Sequence, residues 1–199
     1  SPARSATTRT IGEAPVSVYT TDVRESFKNY GDAAIIMLAR EGAESNDLYR
    51  EDSEGISQLA LHKDEADMLN LVKEYKENGT FEKVIVLLNS GHPMEVKWLE
   101  DYGVDACLGL FEVDKDLHQA VLMGFRGVSD LLVGNANPSG RLVDTYASNS
   151  LSAPATVNFG EFSYTNANEV VAGVTDNATD SRYYVAEAEG IYIGYKYYE

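Results

Sequence analysis

Glycine-rich phosphate loops, metal-ligand clusters and paired cysteines are all missing from this chain of 199 residues. Cys107 is its only cysteine, so no disulfide can form within the chain. Set in the apolar run Ala106-Cys107-Leu108-Gly109-Leu110, it reads as a buried, inert thiol rather than a nucleophile. The three histidines, His62, His92 and His118, lack the spacing of metal ligands, and neither a metal nor any other cofactor is expected. Neither G-x-G-x-x-G nor G-x-x-x-x-G-K-[ST] occurs, which argues against dinucleotide and nucleoside triphosphate chemistry. Ser90 stands outside any G-x-S-x-G elbow and does not read as a hydrolase nucleophile. No apolar run approaches the length of a membrane-spanning helix. Basic residues are scarce as well: 16 Lys and Arg against 32 Asp and Glu give a net charge of −16. Such a field repels phosphate backbones and anionic lipid, so neither nucleic acid nor membrane is expected as a partner. The opening Ser-Pro-Ala-Arg-Ser-Ala-Thr-Thr-Arg has no apolar stretch of the signal-peptide kind, and localisation is left open.

What is present is a regular alternation of strand and helix patterns. Thr21-Asp22 offers an N-cap for a helix to about Tyr30, stopped by Gly31. Ala33–Leu38 is an unbroken apolar run that reads as a strand buried on both faces. A helix follows from Lys63-Asp64, with Ala66, Leu69, Val72 and Tyr75 near one face and Asn78-Gly79 ending it. Lys83–Leu88 is a second strand, Met94–Tyr102 a helix behind Pro93, and Asp105–Phe111 a third strand. Leu117–Val133 reads as a third helix, 134–140 as a break, and Arg141–Tyr146 as a short final strand. Strand and helix alternating at this spacing imply right-handed crossovers and a three-layer α/β/α sandwich around a mainly parallel sheet. One domain is expected over residues 1–199, with its core at about 22–147 and a loop-rich, aromatic extension over 148–199. The tail Glu189–Glu199 is strand-like, and its tyrosines suit a sugar site or an interface as well as an edge strand.

In open α/β sheets, ligands collect beyond the carboxyl ends of the strands. The first strand empties there into a polar loop holding Glu41, Glu44 and Asp47, with Glu51, Asp52 and Glu54 close behind. Any one of these carboxylates, adjusted by a partner such as Arg40, could serve as a general acid/base, and composition does not select among them. The second strand ends in Asn89-Ser90-Gly91-His92-Pro93, a turn suited to capping or to receiving a hydroxyl.

Taken in order, these residues resemble the C-terminal-type sandwich domain of glycoside hydrolase family 3, the family of many β-glucosidases. The resemblance rests on Asp32-Ala33-Ala34-Ile35-Ile36 with Arg40 and the Glu44 loop, and on Val84–Glu95, which includes Asn89-Ser90-Gly91-His92-Pro93-Met94. It continues through Asn137-Pro138-Ser139-Gly140-Arg141-Leu142 and Glu189-Gly190-Ile191-Tyr192-Ile193-Gly194-Tyr195-Lys196-Tyr197-Tyr198-Glu199. It implies a retaining mechanism split between two domains, with an aspartate nucleophile on a separate barrel and an acid/base glutamate on this sandwich. Set against the family's R-x-x-G-E-G-x-D loop, Arg40–Asp47 implies Glu44 as the acid/base, with Arg40 and Asp47 as substrate-binding residues. Ala43 and Ser45 stand where that pattern has glycine. The implied partners are a carbohydrate substrate and the barrel domain, which this sequence lacks, so the isolated chain is expected to be inactive. A sugar-contacting module without a catalytic residue and a flavodoxin-like phosphate binder are the alternatives.

Overall fold

The computed structural model describes residues 12–40, 48–110, 126–158, 162–166, 169, 183–184 and 186–198. Three parallel strands form the main sheet: β1 (Ala33–Ala39), β2 (Lys83–Asn89) and β3 (Ala106–Gly109), in the order β1-β2-β3. Ile36 lies opposite Val86, and Val86 opposite Cys107, so the apolar runs stack in register across the sheet. Between β1 and β2 runs α2 (Lys63–Glu77), preceded in the chain by the short α1 (Thr21–Ser26). The fold is α/β with a parallel sheet, as the alternation in the sequence implies. The helix expected over 94–102 contracts to α3 (Trp98–Asp101). Ahead of α3 the Glu95 amide donates to Leu59 O at 2.9 Å, which ties this stretch to the segment before α2.

One face of the sheet is covered by α2. Met68 and Leu69 pack on Ile36, Leu38, Val84, Val86 and Leu88, and Met94 and Trp98 close the same cluster. On α2 the buried positions 65, 68 and 69, with the partly buried Val72, follow the i, i+3, i+4, i+7 spacing of an inward stripe. The opposite face carries Ile35 and Met37, 52% and 44% exposed. The expected burial of β1 on both faces is therefore seen on one face only among the described residues. Of the helix expected over 117–133, residues 126–132 are helical and 117–125 lie outside the described residues.

Three further expectations are corrected. The run Arg141–Tyr146 forms no strand; β3 has no described neighbour beyond it, and without a ladder Leu142 and Val143 stay exposed. Cys107 is exposed, because β3 is the edge of the described sheet; partial desolvation still raises its thiol pKa. The aromatic tail is a turn followed by a helical turn, Tyr195–Tyr198, rather than a strand. Gly190 and Gly194 sit at φ +58° and +54°, a left-handed conformation that breaks an extended run. Within the extension, Pro154–Val157 is helical and β4 (Phe162–Ser163) pairs antiparallel with β5 (Tyr183–Tyr184).

The amino end of the sheet is tied by one carboxylate. Asp105 Oδ2 accepts from Lys76 Nζ on α2 and from the Val84 amide on β2, both at 2.7 Å, and Lys83 Nζ stands 3.8 Å from Oδ1. The Lys76 hydrogen bond, followed by the Val84 amide, holds its pKa below the ordinary carboxylate range. A depressed folded pKa contributes stability above the unfolded pKa and loses it as pH falls through the folded value. Asp105→Asn should accordingly lower stability at neutral pH and flatten the loss of stability below about pH 4, read from urea midpoints across that range. Leu69→Ala, at a site 1% exposed, should cost about 2–5 kcal/mol in the same measurement.

Candidate functional site

At the carboxyl end of the sheet the chain leaves β1 through Arg40, whose amide donates to Asn89 O of β2 at 3.2 Å. The Arg40 side chain turns inward and is buried. Its Nη1 and Nη2 donate to Glu65 Oε1 and Oε2 at 2.6 and 2.8 Å, a two-pronged pair with α2. Its Nε donates to Gln58 O at 2.5 Å, Nη2 also to Ala60 O at 2.7 Å, and Nη1 also to Ala39 O at 2.8 Å. A guanidinium has five N–H donors, and here five acceptors meet them. Glu65 Oε2 further accepts the His62 amide at 2.8 Å, closing the first turn of α2.

Segment 41–47, expected to hold the chemistry, thus springs from a fully bonded anchor. Past that segment, the Tyr49 amide donates to Gln58 Oε1 at 2.9 Å. Asp52 closes the next turn by accepting the amides of Glu54 and Ile56 at 2.8 and 2.9 Å; these bonds, the Ile56 one first, lower its pKa. A second knot lies alongside. Ser150 donates from both its amide and its hydroxyl to Glu95 Oε1, at 2.7 and 2.8 Å, and its hydroxyl also reaches Ser57 Oγ at 2.8 Å. The tail joins it where Tyr197 Oη donates to Ser152 O at 3.0 Å. Between these anchors opens a pocket of about 330 Å³ whose walls include Tyr49, Arg50, Ser57, His92 and Thr156.

The expected site residues divide sharply. Glu44 and Asp47, and Glu41 beside them, lie outside the described residues. Arg40 is placed at the strand end, but with its guanidinium directed into the chain. Of the other loop acids, Asp52 serves a turn and Glu51 pairs with Arg50 at 2.7 Å. Ser90 Oγ donates to His92 O at 2.8 Å and accepts the His92 amide, so the turn after β2 caps itself. Among the described residues, two buried polar atoms at this end have no partner, Asn89 Oδ1 and His62 Nε2. Among the described residues, no group of three or more His, Cys, Asp or Glu could hold a metal ion, and no helix is long and apolar enough to cross a membrane.

Glu65 and Gln58 escape the sequence reading. Glu65 had a usable signal: it occupies the first position of the 65, 68, 69, 72 stripe on α2. A carboxylate on an inward face is tolerated only when paired, which demands a buried cation. Gln58 carried no such signal. Removing one partner of a buried pair leaves an uncompensated charge, so Glu65→Ala should destabilise the protein by about 3–5 kcal/mol. Replacing both members by apolar residues (Arg40→Met with Glu65→Leu) should cost less, and chemical denaturation of the two variants checks the order.

The profile of the glycosyl hydrolase family 3 C-terminal domain matches residues 17–195. Beta-glucosidase A of Butyrivibrio fibrisolvens is 31% identical over 136 residues, which cover 65% of this chain and 12% of that protein. Among solved structures, a beta-glucosidase from Paenibacillus barengoltzii superposes with a TM-score of 0.63 at 26% identity, over 94% of this chain and 17% of its own. Beta-glucosidase 3B from Thermotoga neapolitana, solved with glycerol and with alpha-D-glucose, gives a TM-score of 0.65 at 26% identity, over 94% of this chain and 22% of its own. The chain therefore spans between about an eighth and a fifth of the length of these relatives.

Proposed function

The chain belongs to glycoside hydrolase family 3, and from that premise we propose that it supplies the general acid/base of a retaining β-glucosidase whose nucleophile resides on a separate barrel domain. Glu44 is the proton donor. It protonates the departing glycosidic oxygen, and its carboxylate then takes a proton from the water that hydrolyses the glycosyl-enzyme. Asp47, three residues on, meets the sugar's hydroxyl groups. Arg40 serves substrate binding at one remove, by fixing where segment 41–47 leaves the sheet. The observation that carries this reading is the anchoring of that segment at the carboxyl end of β1, beside the open 330 Å³ pocket.

The chemistry accounts for the anchoring. Proton transfer needs the carboxyl within about 2.6–3.2 Å of the glycosidic oxygen. A donor brought from another domain must be held by its own scaffold, and a buried ion pair with three backbone acceptors is such a scaffold. Asn89 Oδ1 and His62 Nε2, which have no partner among the described residues, lie at the same end.

The test uses the chain that carries this domain together with its barrel. Glu44→Ala should lower kcat/KM for phenyl β-glucoside by about 10²–10⁴, with much smaller loss on a dinitrophenyl glucoside and with rate restored by azide. An unchanged rate on both substrates would leave the domain a sugar-contacting module without a catalytic residue. The isolated chain should not turn over aryl β-glucosides, and measurable release of nitrophenol by it would overturn the two-domain reading.

A further inference from the structure

We infer that the pocket beside the Glu95–Ser150 knot is a binding site for one neutral sugar unit, built by this domain alone. Its volume of about 330 Å³ lies at the small end of ligand pockets, roughly 300–1,000 Å³. Every residue that lines it is among the described ones. The site therefore draws nothing from segment 41–47, and the inference can fail without touching the acid/base reading.

Bonds between its walls hold the pocket in shape. Arg50 Nη1 donates to Val157 O at 2.8 Å, which ties the wall of residues 48–50 to the helical turn Pro154–Val157. That turn supplies Ala155 and Thr156 to the facing wall. Ser57, 5% exposed, accepts the Leu59 amide at 3.1 Å and lies 2.8 Å from Ser150 Oγ. The Ser90 hydroxyl holds His92 through bonds to both its amide and its carbonyl. A cavity already formed by such links takes a ligand with little ordering cost.

The lining matches the two-sided chemistry of a pyranose. Such a ring presents apolar C–H faces and a rim of hydroxyls, each both donor and acceptor. Leu48, Leu59 and Ala155 give the pocket its apolar surface. Tyr49 and Thr156 bring hydroxyls and His92 an imidazole, and none of these three groups makes a hydrogen bond among the described residues. Burial raises the Tyr49 pKa, so the phenol keeps its proton and can donate it. Arg50, the permanent cation of the lining, is already paired with Glu51 at 2.7 Å. In a chain of net charge −16, that pairing disfavours a phosphate or a carboxylate as the ligand. An aromatic ligand without hydroxyls would strip water from the three polar groups and return no hydrogen bond.

The experiment titrates the chain of 199 residues with methyl β-D-glucoside, phenol and inorganic phosphate. Calorimetry reads binding, and the thermal midpoint of each variant reads its folding. The glucoside is expected to bind with a Kd on the order of 1 mM, at which concentration phenol and phosphate give no heat. Tyr49→Phe and Thr156→Val each remove one hydrogen-bonding group, and each should weaken the glucoside about three- to tenfold with the midpoint unchanged. Ala155→Phe fills the cavity and should abolish binding. A folded wild-type chain that binds no glucoside overturns the inference, and so does binding that survives all three variants at full strength. Heat from phenol or phosphate in place of the glucoside overturns the assigned ligand class.

Discussion

The buried pair of Arg40 and Glu65 is the constraint on which the rest of this structure turns. Two charges so far from solvent carry a desolvation cost that their attraction alone does not reliably repay. They are tolerated because every donor of the guanidinium has an acceptor, two on Glu65 and three on backbone carbonyls. Those acceptors come from β1, from α2 and from residues 58 and 60, parts of the chain that the sequence separates by up to 25 positions. The pair thus sets the register between sheet, helix and the segment that connects them. An apolar replacement would fill the same volume without specifying it.

The two ends of the sheet are built for different purposes. At the amino end, Asp105 gathers Lys76, Lys83 and the Val84 amide, while Phe27, Tyr75 and Phe81 pack edge and face around the end of α2. These contacts hold the layers together. At the carboxyl end, the Arg40–Glu65 pair and the Glu95–Ser150 knot flank an open pocket. This is the asymmetry expected of parallel sheets, where ligands meet the chain beyond the strand ends.

The strands were legible because apolar runs such as Val84–Leu88 are bounded by turn residues, and α2 because its inward stripe recurs at helical spacing. The tail misled because alternation of Ile191, Tyr192 and Ile193 looks extended, whereas Gly190 and Gly194 take left-handed backbone that no count of apolar residues anticipates. Arg40 was legible as the residue that ends β1, but the direction of its side chain was not. An arginine at a strand end reads equally well as a ligand or as an anchor until its partners are known. Those partners are fixed by tertiary contacts, with Gln58 and Glu65 lying 18 and 25 positions away. Periodicity could have exposed Glu65, as an acid on an apolar face; nothing local distinguishes Gln58 from any other polar residue in a turn.

The central claim is that this domain places the Glu44 carboxyl at the glycosidic oxygen of a substrate held by a barrel. The most direct measurement is a crystal structure of the chain carrying both domains, with a non-hydrolysable thioglucoside bound. The account predicts a Glu44 carboxyl oxygen within about 3–3.5 Å of the bridging sulfur, with the Arg40–Glu65 pair and both Gln58 bonds intact. A Glu44 carboxyl directed away from the substrate, with another carboxylate in contact with the sulfur, would contradict it.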